Sequence, residues 1–313
     1  MRIASIEYEL GGIQESWEDI QNDNAEWSVA ALAAKTGIEV RHVATSEQTA
    51  LTLAVAACSR LLDRVGRSSI DGLVYVTQSP DTKIPANACI LHEKLLLPKQ
   101  CLAFDVNQGC SGFVYGVTIV TSLMAYTGMS CALVVCSDTY RRYVSRSDRA
   151  CRPIFSDGAS ATLLVKDGPG SIGPFEFMTD GSGAPNLTLR HSLNPGFTEE
   201  LYMDGPRVLM FTMAAVPKAT ASLLERAGLQ MEDIDLFVDH QASAVVLDSI
   251  QRRLKIPDEK FLRCLEDFGN TVSSTIPIAL KYAIDSGRLK DGMTVLLMGF
   301  GVGYSVAGCI VRT

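Results

Sequence analysis

Leu61-Leu-Asp-Arg-Val-Gly66, followed closely by Ile70-Asp-Gly-Leu-Val74, decides the fold, because the chain writes it twice. Leu223-Leu-Glu-Arg-Ala-Gly228 and Ile234-Asp-Leu-Phe-Val238 repeat it roughly 160 residues further on. Gly128-Met-Ser130, ahead of the apolar run Cys131-Ala-Leu-Val-Val-Cys136, returns at a similar offset as Gly292-Met-Thr294 ahead of Val295-Leu-Leu-Met298. The first member of the pair ends a helix at a glycine in the C′ role and hands over to a strand. Three matches at similar offsets mark a duplication. Alternating strands and helices argue for an α/β fold with mostly parallel sheets covered on both faces. The duplicated units are expected as two halves, 1–168 and 169–313, related by a pseudo-twofold axis. The segment 179–206 matches no repeat and, rich in Gly, Pro and Asn, is expected to be a long functional loop or cap.

Composition narrows the function classes. Of 313 residues, 47% are hydrophobic and 20% charged, as in a globular chain with ample core. A net charge of −7 gives no bulk support for nucleic-acid binding. No uninterrupted apolar run is read as reaching membrane length, and the N-terminus lacks a signal-peptide core, so no membrane insertion and a cytoplasmic location are expected. The nine cysteines are odd in number, lie mostly in apolar runs and are never spaced C-x-x-C, which argues against a disulfide framework and a zinc site. Neither a metal nor a bound cofactor is expected.

One cysteine stands apart. Asp105-Val-Asn-Gln-Gly-Cys-Ser-Gly-Phe113 follows an apolar run, Cys101-Leu-Ala-Phe104, expected as a buried strand, and opens a long apolar helix from Phe113 to Tyr126. Gly109 is expected to permit a sharp turn and Gly112 a close helix approach. A thiol at a helix N-terminus faces unpaired N–H groups and the positive end of the dipole, which favour thiolate. Taken alone, Cys110 is equally a small buried hydrophobe.

The duplication supplies it with company. Ligands of open α/β sheets sit beyond the carboxyl ends of strands. His240 follows Leu236-Phe-Val-Asp239, the counterpart of the strand ending near Thr77. Asn270 follows an expected strand at 261–265, the counterpart of the one that delivers Cys110. A pseudo-twofold brings Cys110 and Asn270 face to face. Singly, His240 also reads as a satisfied strand-end histidine and Asn270 as a turn residue.

With these residues placed, the chain resembles β-ketoacyl-ACP synthase III, the initiating condensing enzyme of the thiolase superfamily. The resemblance runs from about Trp27 to the C-terminus. It is carried by Asp105–Phe113, Asp239-His-Gln-Ala-Ser243, Phe268-Gly-Asn-Thr271 with Thr-Val-Ser-Ser-Thr-Ile-Pro-Ile-Ala-Leu280, and Gly299-Phe-Gly-Val-Gly303. It implies a thiolase-like fold layered α-β-α-β-α, and a decarboxylative Claisen condensation of an acyl thioester with a malonyl-ACP-type extender. Cys110 would carry the acyl group, and His240 and Asn270 would act as paired donors to the enolate oxygen. The backbone N–H groups of Cys110 and Val302 would hold the second oxyanion. The substrates implied are acyl-CoA or acyl-ACP and malonyl-ACP; the partners are an acyl carrier protein and a second copy of the chain, paired through the strand before Cys110.

The resemblance also assigns substrate contacts. Ile84, before Pro85, matches the position that shapes the acyl pocket, and Arg149 matches a CoA-contacting arginine. Trp27 and Lys35, the latter before Thr36-Gly37-Ile38, correspond to the family's nucleotide-gripping Trp and Arg, with Trp27 displaced along the chain. Ser243 and Val245 stand where the family has asparagine and arginine, which weakens pantetheine contacts and leaves CoA and carrier protein both open as acyl donor. Arg252, Arg253 and Lys255 match a carrier-docking patch, and read equally as a solvated helix face. Two rivals remain: acyl transfer to an O, N or S acceptor without condensation, and a scaffold subunit beside an active homologue. The retained Asn270 and the complete Cys/His/Asn set argue against each.

Overall fold

The computed structural model describes residues 1–313 except 68, 195 and 197. Nine strands build two sheets. The first runs Arg2–Leu10, Gly158–Val165, Cys131–Asp138, Gly72–Val76, Leu102–Val106 in spatial order. The second runs Leu236–Asp239, Thr294–Gly301, Ser305–Arg312, Ser171–Thr179. The parallel core expected from the alternating pattern lies where Gly72–Val76 pairs with both neighbours and where Leu236–Asp239 meets Thr294–Gly301. The closing strands run antiparallel, because Val302-Gly303-Tyr304 is too short for a crossover and returns the chain directly.

Three helical layers enclose the sheets. Ala50–Val65, capped by Thr49 in a reciprocal box with Thr52, packs with Asn87–Lys94 on the outer face of the first sheet. Gly112–Thr127 and Thr275–Asp285 lie between the sheets, where Val76, Phe113, Val117, Val120, Ile276 and Leu297 form the central core. Gly205–Ala227 and Ala244–Leu254 cover the outer face of the second sheet. The result is the five-layer α-β-α-β-α order. Gly112–Thr127 is apolar all round because it is sandwiched by both sheets.

Several expectations need correction. The 261–265 strand is reduced to one bridge, Phe237 to Phe261. After Leu262 donates to Phe237 O, the Cys264 N–H turns to the Gln241 side chain and the chain enters a short helix, Leu265–Phe268. The Cys101–Phe104 run is not a buried strand but the edge of its sheet, with Leu102 41% exposed. Two short helices precede the first long one: Trp17–Asp23, which starts at a Ser16–Asp19 capping box, and Val29–Thr36. Segment 179–206 is largely a hairpin, Leu187–His191 against Glu199–Met203, held by buried Leu187 and Leu201; its residues 195 and 197 lie outside the described residues. Gly205–Ala227 is long and apolar enough to cross a membrane by length and composition alone, although Arg207 and Lys218 interrupt its apolar run. Its buried Ala215, Val216, Ala219 and Leu223 pack on the second sheet instead.

Candidate active site

Cys110 sits in the turn between Leu102–Val106 and the Gly112–Thr127 helix, directly before the N-cap Ser111. Neighbours press on this turn from two sides. A Cβ on Gly109 would lie 2.5 Å from Gln78 Oε1 and 2.6 Å from Val302 Cγ1. A Cβ on Gly301 would lie 3.0 Å from Cys110 Sγ. Gly109 therefore serves close approach, and its φ is not positive as a sharp left-handed turn would require.

The thiol is not the pre-formed thiolate that the helix terminus suggested. Burial pushes Cys110 up to about 12, and nearby Asp138 adds to the rise. The backbone amides of Cys110 and Val302 pull the other way without prevailing. Desolvation outweighs the dipole because the sulfur lies inside an apolar cluster with Tyr140, Phe155, Leu187 and Val272.

His240 and Asn270 are delivered by the second half. The His240 N–H donates to Met298 O (2.8 Å), continuing the parallel ladder past Asp239. Its ring meets Phe300 edge-on at 5.4 Å, and Nδ1 lies 2.6 Å from Thr275 Oγ1. Burial lowers His240 to about 3, so the ring is neutral at physiological pH. Asn270 forms a bridge to the first half: its N–H donates to Ile154 O (3.0 Å), and its carbonyl accepts from Ser156 (2.9 Å). Its side-chain Oδ1 accepts from Val272 N–H (2.9 Å), which turns Nδ2 toward His240 Nε2 at 3.5 Å.

Cys110, His240 and Asn270 open together on one cavity of about 570 Å³. Its walls are mainly apolar, among them Phe155, Leu187, Met203, Val246 and Phe300. Of the sequence-selected substrate contacts, Lys35 and Arg149 line it, as do the departing positions Ser243 and Val245. Two do not. Trp27 is buried ahead of the Val29–Thr36 helix and is not among the lining residues. Ile84 is 90% exposed on the loop before Asn87–Lys94, so within one chain it does not reach the cavity. Val302 packs its side chain on the apolar cluster that contains Cys110. Arg252, Arg253 and Lys255 are exposed at the end of Ala244–Leu254, outside the cavity.

Three features escaped the sequence reading. Phe300 and Thr275 stand inside quoted motifs but show their positions against His240 only in three dimensions. Glu15 reaches both Arg141 (2.8 Å) and Arg152 (2.8 Å), tying the short strand Ile13–Glu15 to the segment that carries Arg149. Burial alone would raise this carboxyl, but the two guanidiniums hold it below its ordinary value.

Asp239, beside His240, supplies a pH test. Its Oδ2 is buried without a hydrogen-bond partner among the described residues, and burial holds the carboxyl up to about 7. A folded value above the unfolded one means that the neutral form supports the fold below about pH 4, and that this contribution is lost as pH rises toward 7. Asp239→Asn removes the penalty of ionising in place. Relative to wild type, the variant should gain on the order of a few kcal/mol at pH 8 and little at pH 4, read from thermal or denaturant unfolding at both pH values.

Comparisons with known proteins converge. Residues 104–181 match the family model for 3-oxoacyl-[acyl-carrier-protein] synthase III, and 224–313 match the model for its C-terminal part. A β-ketoacyl-[acyl-carrier-protein] synthase III of Clostridium perfringens is 32% identical over 309 residues, covering 95% of this chain and 94% of that protein. A solved 3-oxoacyl-(acyl-carrier-protein) synthase III superposes with a TM-score of 0.94 at 39% identity, covering 100% of this chain and 99% of the other. The priming β-ketosynthase of the R1128 polyketide pathway superposes at 0.91 with 29% identity, covering 99% and 96%.

Proposed function

Since the chain belongs to the 3-oxoacyl-[acyl-carrier-protein] synthase III family, we propose that it condenses an acyl thioester with a malonyl-ACP-type extender, with loss of CO₂, in fatty-acid or specialised acyl-chain biosynthesis. One observation carries the assignment of roles: Cys110, His240 and Asn270 converge on a single, mainly apolar cavity.

The roles follow from the chemistry. Cys110 attacks the acyl thioester, its proton passes to the departing carrier or CoA thiol, and the acyl group is held on sulfur. A buried neutral thiol suits this exchange, because attacking and leaving groups are alike and no strong base is required. The tetrahedral oxyanion is held by the N–H groups of Cys110 and Val302. Decarboxylation of the malonyl thioester then places negative charge on the enolate oxygen. Asn270 Nδ2–H and a His240 N–H stabilise it without accepting a proton, and a neutral imidazole in a dry site fits that task. The enolate carbon attacks the acyl-Cys110 carbonyl, the C–S bond breaks, and the departing thiolate takes up a proton from solvent to regenerate the thiol.

The rest of the reading concerns partners. Lys35 and Arg149 flank the cavity and suit the anionic end of a CoA or phosphopantetheine arm. Exposed Arg252, Arg253 and Lys255 suit docking of an acidic acyl carrier protein. The free edge of Leu102–Val106, with Leu102 exposed, supports a homodimer in which that strand pairs with its copy. Exposed Ile84 then shapes an acyl pocket only with the help of the second chain. Residues 1–168 and 169–313 are taken as the two duplicated halves, and the enzyme as cytoplasmic.

Intact-mass measurement tests the reading. Incubation with a panel of acyl-CoAs and acyl-ACPs should add one acyl mass at Cys110, and subsequent malonyl-ACP should discharge it with CO₂ release. No uptake from any donor refutes the nucleophile. Uptake without CO₂ release favours non-condensing transfer.

A further inference from the structure

Val272 is the strained point of the site. It is fully buried at φ +57°, a left-handed conformation that β-branched residues rarely adopt and that persists only where the surroundings impose it. In that conformation its N–H meets Asn270 Oδ1 at 2.9 Å. The orientation of the Asn270 amide is fixed from both ends, because Nδ2 faces Ala242 O at 3.4 Å. A backbone N–H can only donate and a carbonyl can only accept, so the reversed amide would lose both contacts.

The constraint on Val272 comes from the other half of the chain. Strand Cys131–Asp138 meets the residues after Val272 at its end, where Ser274 Oγ donates to Cys136 O (2.9 Å). Asp138 Oδ2 lies 2.5 Å from Ser273 Oγ and 3.4 Å from Ser273 N. Its Oδ1 accepts from Gln78 N–H (2.8 Å), with the Thr77 and Ser79 hydroxyls at 3.4 Å. Donors on both oxygens hold this fully buried carboxyl in one orientation. Asp138 is not among the residues lining the cavity, so it does not touch substrate. We propose that Asp138 is a positioning residue: by holding Ser273 it keeps Val272 left-handed and so aims the Asn270 amide at the developing enolate. This rests on the reading of Asn270 as an enolate donor. The backbone of Asn270 is bridged separately to Ile154 and Ser156, so release of Ser273 turns the amide away and leaves the residue in place.

Ser273→Ala removes the hydroxyl that Asp138 holds, and alanine fits the space of serine. Malonyl-thioester decarboxylation should slow about 10-fold, short of the roughly 10²–10³-fold that accompanies loss of a whole donor. Acyl uptake by Cys110, read by intact mass, should stay within about two-fold of wild type. The deciding measurement pairs this change with Asn270→Ala. Once the amide is gone its aim no longer matters, so Ser273→Ala should cost nothing further in that background, whereas a general loosening of the fold would add its full cost again. Asp138→Asn keeps its oxygen on the Gln78 N–H and turns an NH₂ group toward Ser273 N–H, donor against donor. Decarboxylation should then fall about 100-fold. Wild-type decarboxylation in Ser273→Ala, uptake falling in step with it, or a full further loss in the Asn270→Ala background overturns the proposal. An Asn270→Ala protein that decarboxylates at the wild-type rate overturns the reading of Asn270 itself, and the proposal with it.

Discussion

Cys110→Ala should lower condensation by at least about four orders of magnitude in kcat, while the protein remains folded. The side chain is buried in an apolar cluster, and removing one sulfur atom leaves a small cavity that costs stability only modestly. What is lost is the atom that bears the acyl group. The other half of the site should survive, because His240 and Asn270 are positioned by Met298, Thr275, Ile154 and Val272 rather than by Cys110. The alanine variant should therefore still release CO₂ from a malonyl thioester and make no condensed product, measured by following CO₂ and chain extension in parallel. Full retention of condensation would show that another group carries the acyl chain.

Asn270→Asp is expected to produce the opposite split. The two side chains have the same shape, and the aspartate can still accept from Val272 N–H. Its second oxygen replaces the Nδ2 donor beside His240 Nε2. A carboxylate there repels an enolate where an amide would stabilise it. Loss of one oxyanion donor costs about 10²–10³-fold, and decarboxylation and condensation should fall by at least that much. Acyl uptake by Cys110 should stay within a few-fold of wild type, read by intact mass. If uptake falls in step with decarboxylation, Asn270 acts as a structural bridge between halves, through its backbone pairing with Ile154 and Ser156.

Gly66 and Gly228, ending matching helices, and the strands that follow them made the duplication readable without coordinates, because helix stops and apolar strand runs are local signals. The same logic set Cys110 and His240 after strand ends, where a sheet leaves its carboxyl edge open, and nominated Asn270 through a strand that the structure reduces to one bridge. That the cavity unites them depends on the two halves meeting, and only the packed layers decided it. Charge states were equally out of reach. The N-terminal position of Cys110 spoke for thiolate, but burial among Tyr140, Phe155 and Val272 outweighs it, and burial is a property of the assembled core.

The failures share one cause. Trp27 and Ile84 were matched by position in the chain, whereas side-chain direction depends on elements far away in sequence. The 261–265 strand read as apolar, but its ladder broke when Gln241, distant along the chain, took the Cys264 N–H. Composition, periodicity and motif thus determined the architecture and nominated the reacting residues of this protein. Tertiary structure alone decided their protonation, their hydrogen-bond partners and the shape of the space between them, because those are set by contacts among residues that local sequence does not relate.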